Sequence, residues 1–459
     1  MYANLRVGLK TVCRFCTFRE VWFMAERFES EVVVVGGGVA GLVAARRLHE
    51  RGRDVIVVEA RERVGGRTLT RDCAGVPIDL GGHWVGPTQT RILRLLAELR
   101  LVTHPQFNTG RKILDVGGRH STYAKSIPST SVFTLIEFQL AIFALDRLTR
   151  SIDPADPAAH PRAAELDATT VEHWKRRRLR TTAGRAIFDA AIASIFGTHP
   201  SEMSMLFFAT YCAAGGGLLK LAAVDGAAQQ DGIVGGAQGV SLRLADALGE
   251  RVRLAQPVVA IEQGSEGVVV HCAGSMVIHA RRAVVAVPPP LLGSIDCRPL
   301  LSPERIALTQ RMPMGSALKI FARYPSPFWR DDGLSGEVVS DGMIQTAFDA
   351  SAHDGTGPGL LVCLVFGRAA RQWRARTRAQ RFAAARLHLA RLYGPRAGDP
   401  EELIEHCWSD ERYSGGGPVA VLGAGSALEW SKTLRKPEGL LHWAGTETAV
   451  RWTGYLDGA

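Results

Sequence analysis

Apolar and polar positions fall into blocks whose periods differ along the chain. EVVVV at 31–35 is a continuous β-branched run, the pattern of a strand buried on both faces. GGGVAG follows at 36–41, and LVAARRLHERG then carries helical spacing that stops at Gly52. DVIVVEA (54–60) predicts a second buried strand, completing a βαβ unit of about 30 residues. TQTRILRLLAELRL (88–101) predicts an amphipathic helix. Residues 130–215 read as mostly helical, broken by the proline-rich DPADPAAHP at 153–161. Strand-like patterns return at 252–287 as a meander ending in AVVAVP, where three prolines stop it. Further strands are predicted at 316–324 and 359–367, an arginine-rich helix at 369–394, and a last strand and turn in GLLHWAGTET (439–448).

These blocks predict an α/β protein. A Rossmann-like nucleotide-binding domain would be assembled from the separated segments 31–105, 225–290 and 405–459. An inserted α+β substrate domain would take 106–224 and 291–404. Residues 1–30 read as an N-terminal extension, with MAERFESEVVVVGGG suggesting that translation begins at Met24.

The candidate chemistry starts at Gly36-x-Gly38-x-x-Gly41, set between a strand and a helix. Gly36 permits a tight turn, Gly38 lets backbone approach a pyrophosphate, and Gly41 lets helix and strand pack closely. The helix N-terminus offers free N–H groups to phosphate oxygens. Glu59 ends the next strand, where it can accept from ribose hydroxyls and would repel a 2′-phosphate, which disfavours NADP. FAD and NAD both fit this motif. Two further glycine-rich loops, RERVGGRTLT (61–70) and DLGGHWVGPTQ (79–89), favour a long cofactor threading past several turns, as FAD does. Arg67 in the first can bridge phosphate oxygens, and Trp84 in the second adds an aromatic face.

Composition narrows the function classes. The 459 residues hold 55 Lys+Arg against 45 Asp+Glu, a formal charge of +10. The excess lies in helical arginine runs such as WKRRRLR (174–180), read as solvated faces; no nucleic-acid recognition motif accompanies them. Eight cysteines are scattered, the usage of a reduced, cytoplasmic protein. Cys13 and Cys16 have half the spacing of a metal site but no second pair, so no metal is expected. VFTLIEFQLAIFALDRL (132–148) is the nearest approach to a membrane span, but Glu137 and Asp146 mark it as a buried or lining helix.

Taken together, VVVVGGGVAGLVAARRL, VEARERVGGRT, DLGGHWVGPTQTRIL, PSEMSMLFFATYCAAGGG, RMPMGSALKIFARYPSPFW, CWSDERYSGGG and HWAGTETAVRWTGYLDGA resemble the flavin-containing amine oxidase family, the monoamine oxidase group. The resemblance runs from about residue 31 to 459. It implies FAD, an amine substrate and oxidative deamination to an imine and aldehyde, with O2 reduced to H2O2. It also implies the residue roles. Lys319 in GSALK would hold a water near flavin N5. Trp408, Trp452 and Tyr455 would surround the isoalloxazine and the amine. The cofactor would be met by Gly36, Gly38, Gly41, Glu59, Arg61, Gly66, Arg67, Gly82, His83, Trp84, Val258, Glu447, Gly454 and Leu456. Gln229 and Pro418 would line the substrate pocket with Trp452. A homodimer is an open expectation.

Departures from the family pattern carry expectations of their own. Monoamine oxidases continue YSGG with Cys-Tyr, the Cys tethering flavin and the Tyr pairing with a second aromatic. Here Gly417-Pro418 stands there, so FAD should bind non-covalently and only Tyr455 of the aromatic pair remains. Asp457 reads as the start of a helix, and family members continue past GYLDGA with one facing the cofactor. The sequence given stops at Ala459, which would weaken FAD retention. Two other readings stand beside the amine oxidase: another FAD oxidoreductase, such as an amino-acid oxidase or desaturase, and a degenerate FAD-binding protein without catalysis.

Overall fold

The computed structural model describes residues 26–124 and 130–459. The run of valines at 32–35 forms the C-terminal end of the strand Glu26–Val35, between the parallel strands Val55–Val58 and Met276–Val285. With neighbours on both edges and cores on both faces, every position can be apolar. Val33 and Val35 face one core and Val34 the other. This strand begins at Glu26 because residues 26–30 pair with Met276–Ala280, so the expected extension to residue 30 is shorter by those five. Met1 to Ala25, including the proposed start at Met24 and the Cys13–Cys16 pair, lie outside the described residues.

Around that core the first sheet adds Val252–Arg253 at one side and the meander Val258–Gly264, Gly267–Cys272 and Met276–Val285 at the other. Leu441–Trp443 joins it in parallel against Ala283–Val285. Asp296–Arg298 pairs with Val258–Gly264, so this sheet reaches beyond residue 290, where the sequence had placed the second domain. A second sheet of seven strands carries Ala317–Tyr324 between Gly359–Phe366 and Glu402–Cys407. The strand Glu402–Cys407 thus belongs with the second sheet, although the boundary was expected at 405.

The helices Val132–Arg150, Thr182–Phe196 and Met205–Gly215 pack together in the largest apolar core. The arginine-rich helix expected at 369–394 is two helices, Gly367–Arg374 and Arg378–Tyr393. Thr377 breaks them: its hydroxyl accepts from Gln380 N–H and the Gln380 side chain returns to Thr377 N–H, a capping box. No helix among the described residues is long and apolar enough to cross a membrane. Val132–Arg150 is not the buried helix its composition suggested. One of its faces is exposed.

Candidate active site

The glycine-rich turn does three separate jobs. Gly36 has φ of +112°, and a Cβ there would stand 2.9 Å from the Ala286 carbonyl oxygen. Gly41 would place a Cβ 2.0 Å from the Gly36 carbonyl oxygen; it packs helix on strand and does not reach the cavity described below. Gly38 precedes the helix Val39–His49 with no side-chain cap, leaving first-turn N–H groups open to a ligand. Gly66 lies across from Gly38, and a Cβ on it would come within 3.3 Å of the Gly38 Cα. Glu59 is buried, its carboxylate accepting from Gly37 N–H at 2.7 Å and Arg61 N–H at 3.0 Å. Arg61 in turn donates to Glu411 and Ser414.

A cavity of about 330 Å³ opens from this turn and runs to the second sheet. Gly36, Gly38, Glu59, Arg61 and Val258 line one end, Gly66, Arg67, Gly82, His83 and Trp84 the middle. Lys319, Trp408, Gln229, Pro418, Gly454, Tyr455 and Leu456 line the rest. Residues separated by hundreds of positions therefore share one wall.

Lys319 sits on Ala317–Tyr324, a strand covered on both sides, so it is buried. Its Nζ donates to the Asp79 backbone oxygen at 2.8 Å and lies 5.3 Å from the Trp84 ring centre. Burial pulls the ammonium down to about 8, against the opposing pull of the Asp79 charge. Asp79 is itself pushed up to about 6 by burial, resisted by the Thr70 hydroxyl, Lys319 and Ala237 N–H. Burial, then the charges of Lys319 and His104, hold His83 well below its ordinary range, so its imidazole is neutral. His83 Nδ1 and Gln229 Oε1 are buried without a partner, leaving two polar atoms for an occupant.

Two expected contacts are moved off the wall by the packing. Trp452 does not line the cavity. It stands edge-on behind Tyr455 at 5.2 Å and donates from its indole to the Thr88 oxygen. Glu447 is also behind the wall, where it grips Arg67 through both carboxylate oxygens at 2.5 and 2.8 Å. Arg67 itself lines the cavity and spends a further N–H on the Pro418 oxygen, so the wall holds its guanidinium from two sides. Trp408 keeps its place on the wall, held by its indole N–H on the Leu80 oxygen at 2.8 Å. Tyr455 is held by its hydroxyl on the Leu221 oxygen at 3.1 Å. Asp457 lies in the short turn Leu456–Gly458, and its carboxylate accepts from Arg91 and Ile92 N–H, capping the helix Thr90–Glu98.

Sequence reading missed Tyr211 and Asp79. Tyr211 lies on the cavity wall but sits in MLFFATYCAAG, where all neighbours but Thr210 are apolar and helical phase gives no polar face. Asp79 had a visible signal, an acid closing the apolar VPID strand just before a glycine pair.

A family model for flavin containing amine oxidoreductases matches residues 39–459. AofH of Mycobacterium tuberculosis, named for flavin-containing monoamine oxidase, is 38% identical over 430 residues, covering 94% of each chain. The flavin-containing amine oxidase B of Bos taurus is 34% identical over 435 residues, covering 94% of this chain and 84% of its own. Putrescine oxidase, solved with putrescine, superposes with a TM-score of 0.91 at 30% identity, over 94% of this chain and 97% of the other. Cyclohexylamine oxidase from Brevibacterium oxydans gives 0.89 at 33% identity, over 94% and 96%.

Proposed function

The chain belongs to the flavin-containing amine oxidoreductase family, and from that premise we propose how its own residues serve the reaction. The family's cofactor is FAD and its chemistry is amine oxidation. The residues present suit that cofactor. Gly36 and Gly37 have no room for side chains, Glu59 keeps carboxylate lone pairs for a ribose, and the cavity continues to Lys319. Bound there, FAD would accept the two electrons and the proton that leave the amine carbon as a hydride equivalent.

Gly36, Gly38 and the first turn of Val39–His49 would receive the phosphates. Val258 would meet the adenine end through its backbone. Lys319, with one N–H spent on Asp79, would hold a water with another. Trp408 and Tyr455 would align the amine and exclude bulk water. Pro418 gives this end an apolar wall, and Gln229 and the neutral His83 offer it hydrogen bonds. Gly417 stands where covalent relatives place the tethering Cys, which supports non-covalent FAD. The imine would leave to hydrolyse to an aldehyde, and O2 would take the electrons as H2O2. All six described cysteines are free thiols, which supports a reducing, cytoplasmic setting.

The observation that carries this reading is a buried lysine in the same cavity as a dinucleotide-binding turn. The deciding experiment is an absorbance spectrum of the purified chain before and after anaerobic addition of primary amines. A flavin band that bleaches with amine, and flavin released by acid precipitation, are expected. A protein that takes up FAD but is not bleached by any amine would overturn the catalytic reading.

A further inference from the structure

The helix Val132–Arg150 is apolar on two faces. Its inward side packs Ala141, Ile142 and Leu145 into the helical core. Its outward side carries Phe133, Ile136, Leu140 and Phe143, exposed by 80, 54, 64 and 62%. Spacings of three and four residues align them in one stripe, about 15 Å long at a helical rise of about 1.5 Å per residue. Single exposed apolar residues are ordinary, but a contiguous row of four large ones is not.

The exposed charge beside the stripe is mostly basic, with Glu165 the acid that faces it, near Arg177. The face of the stripe continues into Arg147 and Arg150, both exposed. The helix Val171–Arg178 packs alongside and brings exposed Arg177 and Arg178, with Arg180 just beyond. Arg180 is fixed next to the stripe, since its N–H donates to Glu137 at 2.7 Å. Glu137 itself is spent on the backbone of Arg180 and Thr181. None of these five arginines is ion-paired among the described residues, and no acid is exposed along the helix.

A second copy of the chain meeting this face would set five unpaired arginines near five more. An acidic lipid surface suits both halves of the pattern: apolar side chains enter below the headgroups while guanidinium groups meet the phosphates. We propose that the outward face of Val132–Arg150, with its flanking arginines, docks the enzyme on an anionic bilayer as an interfacial helix. The inward side of the same helix packs on Thr182–Phe196 and Met205–Gly215, which contribute Ser194, Ile195 and Tyr211 to the cavity. Docking would therefore hold the amine end of the site one helix layer from lipid.

The test is co-sedimentation of the full chain with vesicles of phosphatidylcholine alone and of an equal mixture with phosphatidylglycerol. Binding to the acidic vesicles, weakened by salt, is expected. F133S/F143S should lower it by roughly tenfold or more and R147Q/R150Q by several-fold. All four side chains are exposed, so bound flavin and turnover of a soluble amine should stay unchanged in both variants. Absence of binding to acidic vesicles, or binding that ignores both pairs of substitutions, would overturn the proposal. So would a dimer in analytical ultracentrifugation that F133S/F143S dissociates, because the face would then be a subunit contact.

Discussion

Gly454 lies so close to Tyr211 that a Cβ at position 454 would stand 1.9 Å from the phenolic oxygen. Its φ of +81° is also a conformation that L side chains avoid. Gly454→Ala should therefore displace Tyr211 and the adjoining Tyr455, and lose bound flavin. Gly52→Ala is the control: φ is +73°, but nothing lies within 4 Å of the added carbon. That variant should cost about 1 kcal/mol and keep its flavin. Flavin content and thermal unfolding of the two proteins compare them directly.

Arg67 and Glu447 form a two-point ion pair against the cavity wall, and Glu447 is 1% exposed. Removing one partner strands the other charge away from water. Glu447→Ala should destabilise the fold by about 3–5 kcal/mol in denaturant unfolding. Arg67→Lys should recover only part of Arg67→Ala, because an ammonium cannot reproduce the paired donors. Equal stability of Arg67→Lys and the wild type would refute the geometric argument.

Lys319 contributes a pH dependence whose sign follows from burial. Its folded value is lowered from 10.5 to about 8. Below about 8 the ammonium is charged in both states, and burying it costs about 3 kcal/mol. Between about 8 and 10.5 the unfolded chain holds the proton and the folded chain does not, so native stability rises with pH. Lys319→Met lacks this gain. The difference in Tm, variant minus wild type, should fall steadily across that window. A flat difference would show that the buried ammonium is not lowered.

The same variant separates the two halves of catalysis. Lys319→Met leaves the dinucleotide-binding turn intact, so flavin content should persist. Rapid mixing of the reduced enzyme with O2 should show reoxidation slowed by roughly a hundredfold or more, the scale of one lost proton-handling group. Unchanged reoxidation would remove Lys319 from the proposed role.

Asp457 ties the turn Leu456–Gly458 to the N-terminus of Thr90–Glu98. Asp457→Ala should cost about 1 kcal/mol, the usual value of a helix cap. Hydrogen exchange at Arg91 and Ile92 should speed up before the rest of that helix is affected.

What the sequence could and could not reveal follows from the same residues. The valines at 32–35 and the glycines at 36, 38 and 41 have local causes, so their strand and turn were legible. Lys319 was legible through its motif rather than through its apolar neighbours alone. Trp452 and Glu447 belong to the same short stretch as Tyr455, yet they point behind the wall. Residue type and motif give neighbourhood, whereas direction depends on φ and on what packs opposite; Trp452 has φ of +52°. The helix Val132–Arg150 misled for a related reason. Apolar residues on both sides predict burial on both sides, but among the described residues only one side is covered.

The path of the chain around the cavity has a consequence for biosynthesis. Glu26–Val35 must wait for Met276–Val285 before its second edge is covered, and Gly454–Leu456 reach the wall later still. At ribosomal speeds the glycine-rich turn exists for on the order of tens of seconds before its opposite wall is made. The cavity stays incomplete throughout that interval. Flavin capture is thus a late event in the life of the nascent chain, and helpers that shield apolar surface would act on it before the cofactor can.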